Sequence, residues 1–259
     1  QAEEEEETPN ADVHVLPGPD QPRVRLLGPI DIIGAAGPRP SAPVRCTEVV
    51  AYLALHPGGS SSDFTSAIFP GQRPNSVGPK RNQYMRNSRA WLGQNAAGQP
   101  WVGMVPDIGY ALDPSTEVDW WRFQRLIGDA IGSSSTDNLT AALRLVDGQP
   151  MSFPDEHRYN WADADKTEII AAVVDVAHEL ATRAITNGDP RTATWAALKG
   201  LGADPTNEAL WRLRITAAHQ TGDADQAHAA ITACRNTLDD LGDLDTPTHE
   251  LINTVLTHA

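Results

Sequence analysis

A run of long polar side chains between residues 80 and 89 is the part of the sequence best suited to binding another molecule. Arginine, asparagine and glutamine can form paired hydrogen bonds with the edges of DNA bases, and lysine and arginine neutralise phosphates. The candidate DNA-binding residues are Lys80, Arg81, Gln83, Tyr84, Arg86, Asn87 and Arg89. The other interpretation is an ordinary solvated helix face, because most runs of charge are of that kind.

The segment around this run predicts a winged helix-turn-helix. Short β-prone runs at 24–27 and 30–33 are followed by three predicted helices. These helices are Arg45–His56, a short one from Ser61 or Ser62 to Ile68, and Pro79–Leu92, which holds the candidate residues. Alternating apolar residues from Trp101 to Leu112 then predict a β-hairpin. This order of elements favours DNA binding over the solvated face.

The net charge of −14 is distributed unevenly along the 259 residues. Residues 1–21 carry −7, residues 22–115 carry +4, and residues 116–259 carry −11. The basic part therefore coincides with the predicted winged helix. Such asymmetry within one chain indicates that its parts do different work.

The first 22 residues predict an acidic, proline-rich disordered linker, because like charges repel and proline resists compaction. A start at Gln1, without methionine, indicates a fragment of a longer protein. No run of apolar residues is long enough to cross a bilayer, so we expect any membrane attachment to come from parts outside this chain. We expect a cytoplasmic location.

Residues 116–259 predict an all-α domain that resembles tetratricopeptide (TPR) repeats. Gly188-Asp189 recurs 34 positions later as Gly222-Asp223, and 34 residues is the tetratricopeptide period. The predicted helices are 118–131, 136–146, 163–186, 191–201, 207–220, 224–241 and 247–257. Solenoids of this kind bind proteins, so we expect this domain to contact a partner protein or a second copy of the chain.

The sequence offers little for catalysis. Two cysteines 188 positions apart give neither a disulfide framework nor a zinc site, and no histidine lies in a metal-binding motif. Glycine-rich phosphate-binding motifs and a serine nucleophile elbow are also absent. We therefore expect no enzyme activity, no metal and no small-molecule cofactor.

Several short stretches, taken in order, resemble the Streptomyces antibiotic regulatory protein (SARP) type of transcriptional activator. In the winged-helix segment these are 25–29 (RLLGP), 68–71 (IFPG), 89–93 (RAWLG) and 109–112 (GYAL). In the helical segment they are 118–123 (VDWWRF) and 238–242 (LDDLG), with scattered matches between them. The resemblance implies a winged-helix domain at 23–115 and a bacterial transcriptional activator domain at 116–259. It also implies that the third helix binds double-stranded DNA in the major groove and that the helical domain supports dimerisation and partner contacts.

The sequence departs from the family at the third helix. Arg81 and Ser88 stand where the family has core-facing aliphatic residues, on either side of Met85. We expect these polar residues to weaken the packing of this helix or to shift its register. Acidic neighbouring segments also oppose the approach of phosphates. The alternative function is therefore a protein-interaction module, part of a larger protein, in which a degenerate winged helix no longer binds DNA.

Overall fold

A computed structural model provides the structure of residues 21–72, 74–106, 109–153 and 156–258. The predicted linker falls almost wholly on residues 1–20, which lie outside the described residues. Ten α-helices and five short strands are described, together with brief 3-10 turns.

The first element in the described residues is a small sheet that joins the two halves of the chain. The strands are β1 (Arg23–Arg25), β2 (Asp31–Ile33) and β5 (Glu117–Val118), in the order β2-β1-β5. β1 is antiparallel to β2 and parallel to β5. Because β5 runs directly into the first helix of the second half, the sheet fixes where that half begins.

Three helices and a hairpin follow β2, in the predicted order. They are α1 (Pro43–Leu55), α2 (Ser61–Ile68), α3 (Pro74–Leu92), β3 (Val102–Val105) and β4 (Gly109–Leu112). α1 is the central element, with Val49, Val50 and Leu53 buried. α2 begins after Ser60, whose hydroxyl accepts a hydrogen bond from the Asp63 N–H at 3.1 Å.

The two largest errors in the predicted helix boundaries are at Pro79 and at Ile131. α3 begins at Pro74, so Pro79 lies inside the helix and not in its first turn. Proline lacks the N–H that an interior residue donates, which is why the sequence indicated a start there. The helix predicted to reach Ile131 ends at Ile127, because Gly128 takes a positive φ of 59°.

After β5, the regular elements of the second half are all helices in the residues that the structure describes. Its helices are α4 (Asp119–Ile127), α5 (Thr136–Leu145), α6 (Asp163–Thr186), α7 (Pro190–Ala203), α8 (Glu208–Gln220), α9 (Ala224–Leu238) and α10 (Thr246–His258). From α6 to α9, each helix packs on the next. This is the stacking expected of a TPR-like solenoid.

The 34-residue repeat has a structural counterpart. Asp189 and Asp223 each cap the helix that follows, α7 and α9, by accepting hydrogen bonds from backbone N–H groups of the first turn. The glycine before each takes a positive φ, 70° at Gly188 and 73° at Gly222. The paired alanines at the same offset are all buried: Ala184 and Ala218, Ala193 and Ala227, Ala196 and Ala230.

Both halves share one hydrophobic core. The backbone N–H groups of Asp147 and Met151, after α5, donate to the carbonyls of Leu27 and Leu26 at 2.7 and 2.8 Å. These bonds join the residues that directly follow β1 to the segment after α5, in the helical half. The predicted fold class, a winged helix followed by an all-α TPR-like domain, is confirmed.

Candidate nucleic-acid interface

α3 carries the candidate residues and is held on the core by one apolar stripe. Val77, Met85 and Leu92 are buried on that stripe, and Gly93, with a φ of 82°, ends the helix. Arg81 and Ser88 lie between them at helical spacing, so the register of α3 is not shifted. Ser88 is completely buried and Arg81 is half-buried.

The opposite face of α3 is exposed and strongly basic. Lys80, Asn82, Gln83 and Arg86 are all exposed there. The 19-residue helix contains four basic residues and no acidic one. Long donor side chains therefore stand on this face without an acidic residue from the same helix to neutralise them, as contacts with phosphates and base edges require.

The other four candidate residues are less exposed to solvent. Arg81 borders a small cavity beside Ser60, Ser61 and Tyr110, and its buried Nε has no hydrogen-bond partner among the described residues. The ring of Tyr84 stacks on Phe69, with the centroids 6.1 Å apart. Asn87 and Arg89 are half-buried. The structure thus separates the predicted set into two groups. Lys80, Gln83 and Arg86 are exposed, whereas Arg81, Tyr84, Asn87 and Arg89 are half-buried.

The β3–β4 hairpin forms the wing beside these elements. Met104 and Val105, in the second half of β3, are exposed, with 61% and 36% of their surface accessible. Gly109 pairs with Val105 at the turn end of the hairpin, and a Cβ on Gly109 would come within 2.6 Å of the Ser61 hydroxyl oxygen. The wing therefore packs against the first turn of α2, on the same side of the domain as Arg81.

A buried carboxylate that the sequence analysis missed lies where the two halves meet. The side chain of Glu48 in α1 is only 1% exposed, and it accepts hydrogen bonds from Arg45 Nη1 at 2.5 Å and Trp161 Nε1 at 3.4 Å. Arg158 Nη1 lies 3.8 Å away. Burial raises the pKa of Glu48, although Arg45 opposes that shift. The only available signal was a charged residue on the apolar face of α1.

The described residues contain no cluster of three or more histidine, cysteine or acidic side chains able to hold a metal ion. Both cysteines, Cys46 and Cys234, are buried thiols. Within the same residues, no helix is long and apolar enough to cross a membrane.

The second half of the chain matches a known protein family. The bacterial transcriptional activator domain family matches residues 118–256, from the end of β5 almost to the end of α10. The chain belongs to this family. The matched residues begin at the N-cap of α4, where the helical half begins. The family is one of transcriptional regulators, and the resemblance to SARP-type activators is confirmed.

One solved structure resembles both halves of the chain together. It is Mycobacterium tuberculosis EmbR in complex with a low affinity phosphopeptide, with a TM-score of 0.62 and 23% sequence identity. The similarity covers 92% of this chain and 65% of the EmbR chain. At this identity the likeness concerns the fold of the bacterial transcriptional activator domain and of the winged helix before it. None of the curated proteins compared with the chain matches it.

Proposed function

We propose that the chain is a transcriptional regulator that binds double-stranded DNA selectively, with α3 in the major groove. The observation that carries the proposal is the exposed face of α3, which is rich in hydrogen-bond donors, lacks acidic residues and lies on a helix-turn-helix with a wing. A recognition helix needs this combination of exposure and long polar side chains. Bacterial DNA lies in the cytoplasm, and we propose that the chain acts there without enzyme activity.

The exposed residues suit different parts of the duplex. Gln83 and Arg86, in the middle of the exposed face, are suited to base edges, because both side chains can form paired hydrogen bonds. Lys80, one turn before Gln83, is suited to a phosphate. Asn87 lies next to Arg86 and is half-buried. We assign Arg89 to a phosphate or to the contact between helix and wing, because it is half-buried in the last turn of α3.

We further propose that residues 23–115 are the DNA-binding domain and that residues 116–259 contact a partner protein or a second copy of the chain. The helical half carries −11, so it repels DNA and is better suited to a protein partner. A single winged helix makes few phosphate contacts, so a dimer on two half-sites is the form that would bind tightly enough for regulation.

A binding titration on fragments of genomic DNA tests the proposal. Fluorescence anisotropy would compare the wild type with Lys80→Ala and Arg86→Ala at two salt concentrations. Loss of the phosphate contact assigned to Lys80 should reduce the magnitude of the slope of log K against log salt by about 0.9, whereas Arg86→Ala should mainly weaken selective binding. Arg144→Ala is a matched control, because Arg144 is an exposed arginine on α5, in the helical half.

The outcomes are distinct. Selective binding that is weakened by both α3 variants and unchanged by the control supports DNA recognition. The proposal is wrong if no fragment binds above background at low salt, or if the α3 variants and the control behave alike. In that case the protein-interaction module is the better description of the chain.

A further inference from the structure

The positive charges on the exposed face of α3 are not paired with any residue that the structure describes. Lys80 and Arg86 are exposed there, and neither has an ion-pair partner in that part of the chain. Lys80 Nζ donates to Gln72 Oε1 at 3.4 Å, and an amide leaves its charge uncompensated. The charge of +4 for residues 22–115 counts every acidic residue of the winged-helix half, so α3 is the basic part of a half that is positive as a whole.

The densest negative charge in the sequence lies before β1. Glu3–Glu7, called here the acidic run, are five consecutive carboxylates, and residues 1–21 contain no lysine or arginine that could pair with them locally. In an extended chain, such a run carries about one negative charge per 3.4 Å, similar to one strand of duplex DNA. A helix face that suits phosphates therefore also suits the acidic run.

The chain enters β1 close to the C-terminal end of α3. Gln21 Nε2 donates to the Ser115 carbonyl at 3.0 Å. Two residues before Ser115, the carboxylate of Asp113 accepts from Asn95 Nδ2 at 3.2 Å. Asn95 lies three residues after Leu92, where α3 ends. Only a few residues therefore separate Gln21 from that end of the helix.

The acidic run is long enough on its tether to reach α3. Thirteen residues, 8–20, separate it from Gln21, and they span about 45 Å when extended. Arg86 and Lys80 lie six and twelve residues before the end of α3, which is about 9 and 18 Å along the helix axis. A tether of this length also keeps the run at a local concentration on the order of millimolar.

We propose that the acidic run binds the exposed face of α3 and competes there with DNA, so that the chain contains an inhibitor of its own DNA binding. The inhibitory role rests on the function proposed above, but the contact itself does not. Because the contact is between charges in water, salt should weaken it. The Debye length falls from about 10 Å at 0.1 M salt to about 3 Å at 1 M.

Paramagnetic broadening in ¹H–¹⁵N NMR spectra of the full chain measures the contact without DNA. A nitroxide is attached to the variant Ala2→Cys, next to the acidic run, and the native thiols of Cys46 and Cys234 are buried and so protected from the label. We expect the amides around Lys80, Gln83 and Arg86 to be broadened at about 0.1 M salt and to recover at about 1 M. The same label on a chain with glutamine at residues 3–7 is the control, and we expect it to leave these amides sharp.

Three results would overturn the contact. They are an absence of broadening, broadening centred on another part of the chain, and equal broadening of α3 in the glutamine variant. Spin-labelled chain at natural abundance, mixed with unlabelled ¹⁵N chain, tests whether the run binds a second copy. Broadening of α3 in that mixture equal to that within one chain would contradict an intramolecular inhibitor.

The inhibitory role is tested on the same genomic fragments as the proposed function. Glutamine at residues 3–7 also removes five negative charges, so its matched control removes five exposed acidic charges from α9, α10 and the segment between them, which pack on α8. The control replaces Asp225, Asp239, Asp240 and Asp243 by Asn and Glu250 by Gln. We expect the glutamine variant to bind DNA at least about threefold more tightly than the control, because a run that occupies α3 for about two thirds of the time lowers DNA affinity about threefold.

The result separates the two proposals. An equal gain in affinity by the glutamine variant and its control would mean that net charge alone acts, and would overturn the inhibitory role. If none of the chains binds any fragment, the DNA-binding function fails together with the inhibitory role, and the broadening still decides the contact.

Discussion

Asp119, the first residue of α4, accepts hydrogen bonds from the backbone N–H of Leu26 through both carboxylate oxygens, at 2.8 and 2.9 Å. The same carboxylate accepts from the N–H groups of Leu27 at 3.0 Å and Trp120 at 2.7 Å. Asp119 thus binds the end of β1, in the winged-helix half, to the start of the helical half. Burial raises its pKa to about 6, although the hydrogen bonds to Leu27, Leu26 and Trp120 oppose the shift.

Removal of the Asp119 side chain should loosen this junction. Asp119→Ala leaves the N–H groups of Leu26 and Leu27 without their acceptor, and an unsatisfied buried donor costs about 1 to 3 kcal/mol. We expect the free energy of unfolding in urea to fall by about 2 kcal/mol. Asp129→Ala, at an exposed residue just after α4, is the control and should change it little. Equal stability of the two variants would show that the junction does not depend on this carboxylate.

The raised pKa of Asp119 also predicts how stability depends on pH. In the unfolded chain its pKa is near 3.8, so between that value and about 6 the folded state binds more protons than the unfolded state. The stabilisation that comes from protonation of Asp119 in the folded state is therefore complete below about pH 4 and is lost as the pH rises through 6. The unfolding free energy of the wild type, relative to Asp119→Asn, should decrease by roughly 2 to 3 kcal/mol from pH 4 to pH 7. A difference that stays constant with pH would contradict the shift.

Two glycines in α7 should respond in opposite ways to alanine. A Cβ on Gly200 would lie 2.5 Å from Leu210 Cδ1 and 2.7 Å from Ala177 Cβ, so Gly200→Ala should force α6, α7 and α8 apart. Gly202 is exposed, and a Cβ there would meet nothing closer than 3.9 Å. We expect Gly200→Ala to lower the free energy of unfolding by about 1 to 3 kcal/mol and Gly202→Ala to raise it by about 0.5 to 1 kcal/mol. Urea unfolding measures both, and stabilisation by both would mean that the helices are not packed so closely.

Ser88 should be replaceable without harm to the fold. Its buried hydroxyl lies near the thiol of Cys46, a weak hydrogen-bonding group, and has no stronger partner among the described residues. Ser88→Ala removes a desolvated polar atom and should stabilise the chain by about 1 kcal/mol, measured by urea unfolding. Thr140→Ala on α5 is the comparison, because its hydroxyl donates to the Thr136 carbonyl at 2.8 Å. Destabilisation by Ser88→Ala would reveal a hydrogen bond to that hydroxyl.

Much of the fold follows from local sequence signals. α6 was predicted with its observed ends, because its long apolar periodicity and the Gly188-Asp189 pair after it define a helix and its stop. The repeat at Gly222-Asp223 located α9 in the same way. Pro79 was misleading because the packing of Val77 and Met85 on the core keeps the helix continuous through the proline. A rule based on the local sequence takes no account of such tertiary packing.

Local sequence signals could not predict the contacts that join the two halves of the chain. Glu48 and Trp161 are 113 positions apart, and Asp119 and Leu26 are 93 apart, so neither pairing has a spacing that the sequence could reveal. The exposed residues of α3 could be predicted, because residue types alone indicate long donors on one helix. Which of them face solvent depends on how α3 lies against Phe69 and Ser61, and only the folded chain determines that.

Because α3 has both exposed and half-buried candidate residues, substitutions at neighbouring positions should affect DNA affinity and melting temperature differently. Arg86 is exposed, so Arg86→Gln should weaken selective DNA binding by about tenfold or more, as the loss of a paired base contact does, and should leave the melting temperature unchanged. Tyr84 stacks on Phe69, so Tyr84→Ala should lower the melting temperature, while Tyr84→Phe keeps the stack and should change DNA affinity less than Arg86→Gln does. Anisotropy titrations and thermal melts of the same three variants measure both quantities. A loss of DNA binding in Tyr84→Phe that equals the loss in Arg86→Gln would mean that the tyrosine hydroxyl contacts DNA, and the division of α3 would then be wrong.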